Sequence, residues 1–265
     1  MFDFKQSKKN NTKNSLRQQS ITFEMEIRMN TADNLEQFLP ILRTASIFSG
    51  MSDSEILSVL HCMGAFVSDK EKDSYLLRAG DMTSTMGLLL SGRAIVIQED
   101  VWGHRNIMAQ ILPGQTFAEP FAASNGTALN ISVTVIKDCS LLYLDIHRIL
   151  GVCPSACEHH THLIQNLISV LAKKLLLFNE KITHMSKRTT KEKLLSYLSA
   201  EAQRQGSLSF DIPYDRQQLA DYLCVERAAM SAELSRLQKQ GLLTTNKNHF
   251  ILQSVPDDVN ADILS

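Results

Sequence analysis

The chain has 265 residues, enough for two domains of ordinary size. Hydrophobic residues make up 44% and charged residues 21%, the balance of a soluble globular protein, and no apolar run approaches the length that spans a bilayer. The formal net charge of −1 excludes a nucleic-acid partner advertised by bulk charge, so any basic surface must be local.

Residues 1–30 are polar, rich in Asn, Lys and Gln, and weakly patterned. They read as a disordered tail without the apolar h-region of a secretory signal, and Met25 or Met29 is open as the natural start. Residues 33–63 read as helical, with Leu35, Phe38, Leu39 and Leu42, then Ile56, Leu57, Val59 and Leu60. Ser52 with Glu55 makes a capping box at the start of the second helix. From Ala65 to Leu144 the texture changes to short apolar runs punctuated by Gly, Asp, Ser and Asn. That pattern predicts an antiparallel β-barrel or sandwich with Gly80, Gly92, Gly103, Gly114 and Gly126 at turns.

A short helix and the Pro154 break follow in 145–157. A long helix then runs from about Glu158 to Ser186, roughly 45 Å at 1.5 Å per residue. Ile164, Ile168, Leu171, Leu175, Phe178, Ile182 and Met185 recur at alternating steps of four and three, a heptad seam. Leu163, Leu167, Val170 and Leu177 form a second stripe that can pack on the β domain. A helix with two apolar faces is buried on both sides. The economical reading pairs the seam with a second chain, and the alternative is a core helix wholly inside one monomer.

Lys181, Lys187, Arg188, Lys191 and Lys193 cluster where phosphate contacts would help DNA binding. Thr190 can cap a helix through Glu201, and SLSFDI supplies a small strand. Asp215 is a good N-cap for the next helix, in which Leu219, Ala220 and Leu223 share a face. Val225 packs in the turn, and a second helix starts near Glu226. Ala229, Met230, Leu234 and Leu237 make its inward stripe; Arg227, Ser231, Arg236 and Lys239 face out, and Gly241 is a natural stop. LLTTNKNHFILQ, from Leu242, reads as a hairpin wing turning at Asn246–Asn248. Helix, turn, helix and wing make a winged helix-turn-helix, whose second helix enters the major groove.

This order of parts resembles the Crp/Fnr family of bacterial transcription regulators over about residues 40–253. Its most specific motifs are Gly80-Asp81 with Met86-GLLLS-Gly92, and the segment Arg216–Leu243. The resemblance implies an α+β protein with three parts. They are an N-terminal antiparallel β-barrel of the double-stranded β-helix, jelly-roll-like kind, a long dimerisation helix, and a C-terminal winged helix-turn-helix. The bounds expected are a tail at 1–30, an effector-sensing domain at 31–157, the dimerisation helix at 158–187, the DNA-binding domain at 188–253 and a tail at 254–265. On the family pattern Arg216 and Gln217 would contact phosphate, while Arg227 and Ser231 would project towards bases. Thr190, Glu226, Ala228, Arg236 and Lys247 complete the expected DNA-binding set. Many members carry Glu directly after the Arg of the recognition helix and a basic reader one turn on; here these positions are Ala228 and Ala232. Direct readout is therefore thinner, with Arg227 to a guanine and Ala228 to a thymine methyl as the remaining candidates.

Cyclic-nucleotide binders of the family pair Gly-Glu with a downstream Arg-Ser or Arg-Thr. Here FAEPFAASNGTALNIS, from Phe117, places Ala118-Glu119 and Leu129-Asn130 at those positions. Without a guanidinium nothing matches the cyclic phosphate bidentately, so cyclic AMP is not expected as the effector. Iron–sulfur members carry a cysteine cluster near the N-terminus, and this chain has no cysteine before Cys62. The five cysteines (Cys62, Cys139, Cys153, Cys157 and Cys224) are odd in number and mostly scattered, which fits a reducing cytoplasm. Cys153, Cys157, His159 and His162 lie close enough for a transition metal or a redox thiol pair. The other reading packs the cysteines under the barrel and leaves the histidines on an exposed turn.

The leading expectation is a cytoplasmic homodimer that reads a pseudo-palindromic duplex under a small-molecule, metal or redox signal, with RNA polymerase as a partner if it activates. The alternative is a sensor acting through protein partners with a winged helix that does not read bases. No nucleophile–base pair, phosphate loop or paired-carboxylate motif supports an enzyme. Cofactor and effector identity are not encoded legibly.

Overall fold

The computed structural model describes residues 35–124, 126–151 and 158–253. The expected tails, 1–30 and 254–265, and both Cys153 and Cys157 lie outside those residues. In chain order the elements begin with α1 (Leu39–Leu42), α2 (Asp53–Met63), β1 (Phe66–Lys70), β2 (Tyr75–Leu77), β3 (Thr85–Glu99) and β4 (Arg105–Ile111). Next come β5 (Thr116–Phe117), α3 (Glu119–Ala123), β6 (Ser132–Asp145), α4 (Ile146–Leu150) and the long α5 (Glu158–Met185). Last are α6 (Thr190–Gln205), β7 (Ser209–Asp211), α7 (Arg216–Leu223), α8 (Arg227–Lys239), β8 (Leu243–Asn246) and β9 (His249–Leu252). They fall into two compact units. One takes in the described residues up to Ala94 together with Ile111–Leu171; the other takes in Ile95–Gln110 and the chain from Ala172.

The first unit is built on antiparallel strands in the order β1-β6-β3, with β3 entering as far as Ala94, β2 added to β6 and β5 to β3. Its register sets Phe66 opposite Tyr143 and Lys70 opposite Cys139. The capping box forms as the sequence predicts, with Ser52 N donating to Glu55 Oε2 at 2.7 Å, and Gly64 ends α2 in the left-handed region. Ile56, Leu60 and Met63 from α2 meet Met86, Leu88, Leu142 and Leu144 from the sheet, together with Leu163 and Leu167 from α5. Burying each of those two leucines contributes about 1.5–3 kcal/mol, which fixes the first half of the long helix to the sheet.

Two readings of the sequence are corrected in these elements. Gly92 is not at a turn but inside β3, at φ +88°. A Cβ there would lie 2.1 Å from the Asp138 carbonyl oxygen, so the glycine permits a close approach of two strands. Leu177 does not continue the buried stripe of α5, being 50% exposed. The buried positions beyond Val170 are instead Lys181 and His184.

In the second unit α6 starts at a capping box formed by Thr189, whose hydroxyl accepts from Glu192 N at 3.2 Å, so Thr190 is the first helical residue and not the cap. Leu194, Leu198, Leu219, Leu223, Met230, Leu234 and Leu237 fill the space between α6, α7 and α8. A small sheet, β7-β9-β8, closes the unit, with Phe210 stacked on Phe250 at 6.3 Å between ring centres. Tyr214 and Tyr222 stack at 4.8 Å, and Tyr197 lies 5.4 Å from Tyr222.

Candidate nucleic-acid interface

The first helix of the pair, α7, is started by a reciprocal cap. Asp215 Oδ1 accepts from Gln218 N at 2.8 Å, and Gln218 Oε1 accepts from Asp215 N at 3.1 Å. Cys224 ends it at φ +51°, ψ +56°, a left-handed cap that turns the chain within one residue. Val225 N donates to Ala220 O at 3.1 Å and seats the turn on α7. Lys193 reaches across from α6, its Nζ 3.4 Å from Leu223 O and 3.5 Å from Cys224 O, a favourable cation at a helix C-terminus.

Glu226 is the N-cap of α8 in extended backbone, and its side chain makes no capping bond. The buried face of α8 is Met230, Glu233, Leu234 and Leu237. Ala229, expected on that stripe, is exposed. It sits in the first turn of α8, about 100° from Met230, and a methyl group gains little from burial. Glu233, one turn on, is buried on that face, its Oε2 2.9 Å from Arg236 Nη1. Arg236 is thereby partnered within the helix, though it remains largely exposed. Arg227, Ala228, Ser231 and Ala232 all face solvent along the N-terminal half of α8.

β8 and β9 form the hairpin with Thr245 opposite Phe250 and Asn246 opposite His249. Asn246 therefore belongs to the ladder, and the turn is Lys247–Asn248, with Lys247 exposed at φ +53°. Gln217 is exposed and donates to Asp221 Oδ1 at 2.8 Å. Arg216 does not point outwards: Nη2 donates to Thr245 Oγ1 at 2.6 Å, and the guanidinium carbon lies 5.0 Å from the centre of the Phe250 ring.

The basic cluster also divides. Lys187 and Arg188 are exposed and Lys191 is half-buried. Lys181 is 3% exposed, a correction to its expected place on a phosphate-facing surface. Its ammonium donates to Asn106 Oδ1 at 3.1 Å and to the Ile107 carbonyl, and sits 4.6 Å above the Tyr222 ring. Burial among neutral acceptors lowers its pKa to about 8. This node, missed in the sequence, had a legible trace: Leu163, Leu167, Val170, Lys181 and His184 keep one heptad register.

In the β domain, Ala118 occupies the left-handed region at φ +68° as N-cap of α3, and Glu119 behind it is 1% exposed. Leu129 is 3% exposed, its N donating to Asp81 O at 2.8 Å while its carbonyl accepts from Gly80 N at 2.7 Å. Asn130 is exposed. The side chains named as an effector site thus split between core and solvent.

His159 Nδ1 lies 3.0 Å from Glu55 Oε1, and His162 packs near Gly50. Both histidines line an open cleft of about 310 Å³ with Glu55, Thr161 and Gln165. Among the described residues no group of three or more His, Cys, Asp or Glu side chains is placed to hold a metal ion. His160, buried between them in sequence, bonds Ile149 O through Nε2 at 2.7 Å.

Residues 192–256 match the Crp-like helix-turn-helix domain, and residues 69–155 match the cyclic nucleotide-binding domain. The transcriptional activator FnrL of Cereibacter sphaeroides is 23% identical over 211 residues, which cover 76% of this chain and 81% of FnrL. FixK2 of Bradyrhizobium japonicum has the same fold, with a TM-score of 0.57 at 19% identity over 72% of this chain and 93% of that one. So does the c-di-GMP-responsive regulator CLP of Xanthomonas campestris, with a TM-score of 0.63 at 16% identity over 77% of this chain and all of that one. The chain belongs to the Crp/Fnr family.

As a Crp/Fnr member it is a DNA-binding transcription regulator and not an enzyme. No helix among the described residues is long and apolar enough to cross a membrane. Over Arg227–Ala232 the solvent-facing side chains of α8 comprise one guanidinium, one hydroxyl and three methyl groups. Such a set gives few hydrogen bonds to base edges.

Proposed function

We propose that this regulator works as a homodimer whose two α8 helices read a pseudo-palindromic operator in successive major grooves. The supporting observation is the split of α5. Ile168, Leu175, Phe178 and Ile182, four positions of the heptad seam, are 62%, 61%, 40% and 64% exposed in the single chain. A contiguous apolar row of that kind on a soluble helix is a pairing surface, and a second α5 supplies the complementary heptad. On this reading residues 31–157 sense, 158–187 dimerise and 188–253 bind DNA, with Arg227 and Ser231 nearest the bases and Lys247 near phosphate. The regulator acts in the cytoplasm, where the DNA is, and touches RNA polymerase when it activates. Selection from a random duplex pool tests this: an enriched two-fold repeat supports it, and no enrichment at low salt sinks it.

The controlling signal on this reading is not cyclic AMP. Leu129 is buried where the family's phosphate-binding guanidinium would stand. Isothermal titration should give no heat with cyclic AMP at micromolar protein, and saturable micromolar binding overturns the claim. A second reading is favoured by the exposed Ala228 and Ala232: the winged helix docks a protein and reads no bases. It requires that Arg227→Ala leave regulation unchanged.

A further inference from the structure

Arg216 opens α7, the place where the family pattern expects a phosphate contact, and its side chain is spent elsewhere. The half-buried guanidinium is turned onto the wing. Nη2 is bonded to Thr245 Oγ1 at 2.6 Å, and Nη1 is buried with no hydrogen-bond partner among the described residues. The guanidinium carbon lies 5.0 Å from the centre of the Phe250 ring, which is fully buried and stacked on Phe210. Thr245 and Phe250 face each other across the ladder of β8 and β9, so the guanidinium grips a single rung of the wing from both strands. Two residues beyond Thr245 is Lys247, exposed at the turn in the left-handed region.

We propose that Arg216 is a positioning residue: it fixes the wing to the first helix of the pair so that Lys247 meets a backbone phosphate beside α8, and does not itself touch DNA. The inference rests on DNA reading by α8 and the wing. The chemistry needs arginine. A planar fork can stack on a ring and aim a donor sideways at the same time, whereas a lysine ammonium is a point charge that satisfies only one of these. A phosphate contact, by contrast, is served almost as well by lysine, because its strength lies in the charge.

The two roles separate on that difference. Binding of the full-length protein to a duplex enriched by the wild type is followed by fluorescence anisotropy over a series of KCl concentrations. Arg216→Lys and Thr245→Val should each weaken binding about fivefold or more, and adding Arg216→Lys to Lys247→Ala should cost less than about twofold further, because the pair is coupled. Wild-type affinity and salt slope in Arg216→Lys, or losses that multiply with those of Lys247→Ala, overturn the proposal. Thermal unfolding shows whether Arg216→Lys is folded, and if it is not, Thr245→Val, which keeps shape and removes only the acceptor, decides alone. If the wild type enriches no duplex, the operator reading fails, and amide exchange in the free protein still tests the strut. Exchange in β8 and β9 should then quicken about tenfold in Thr245→Val with α6 unchanged, and equal exchange overturns the proposal.

Discussion

The two short segments proposed to meet effector and operator are built in opposite senses. From Ala118 to Leu129 the side chains that matter are folded inward: Glu119 and Leu129 are core residues, and Leu129 is wired by its backbone to Gly80 and Asp81. From Glu226 to Ala232 only Met230 is turned inward. In the β domain segment, Glu119 and Leu129 are given to packing. In the helix-turn-helix segment the exposed groups are small apart from Glu226 and Arg227. A family match reports shared backbone in both places, and only burial separates them.

The sharpest way to break the contrast is to cut each segment and watch the other property. Leu129→Ala should lower the unfolding free energy by about 2–5 kcal/mol through the cavity it leaves. The affinity of the folded fraction for DNA should stay within about twofold. Chemical denaturation and anisotropy measure the two. Arg227→Ala should do the reverse, weakening DNA binding by about 1–3 kcal/mol with stability changed by less than about 0.5 kcal/mol. If Arg227→Ala instead unfolds the domain, the exposed segment is structural and the contrast fails.

A finer test concerns Lys181, the one lysine shown to be buried in the second unit. Its pKa is about 8 in the native protein, against an ordinary 10.5. Between those values the unfolded chain holds a proton that the native chain has released, so this group's contribution to stability rises with pH. The gain is about 2 kcal/mol from pH 8 to pH 10. It should be present in wild type and missing in Lys181→Met, as read from urea midpoints at each pH. A difference between the two proteins that is flat across this window would show that the ammonium is not desolvated by Asn106, Ile107 and Tyr222.

How much of this was legible in the sequence depended on distance along the chain. The caps at Ser52 and Asp215 are reciprocal bonds over three residues, so the motif alone specifies them. Of the heptad seam expected on α5, Ile168, Leu175, Phe178 and Ile182 are exposed, while Ile164 and Leu171 pack partly against the core of the first unit, a split the periodicity alone does not give. Arg216 was not legible, because its direction is set by Thr245, 29 residues later. Lys181 was not, because its acceptors lie on β4, more than 70 residues earlier. Gly92 was misplaced because a turn and a strand crossing both ask for a residue without Cβ, and only the neighbouring Asp138 carbonyl tells them apart. The same limit applies to Ala229, where the pattern gave two adjacent apolar positions and only packing chose Met230.

Ala118 carries a last consequence, for redesign. It holds at φ +68° a turn that glycine adopts freely, at a backbone cost on the order of 1 kcal/mol. On the reading that this domain takes no cyclic nucleotide, building such a pocket asks nothing new of the chain trace at Ala118, since Ala118→Gly only relaxes a bend already in place. The obstacle is volumetric: a guanidinium at position 129 must enter space that a leucine now fills almost completely. Redesign towards a cyclic-nucleotide sensor would begin by emptying the wall around Leu129, and only then by adding charge.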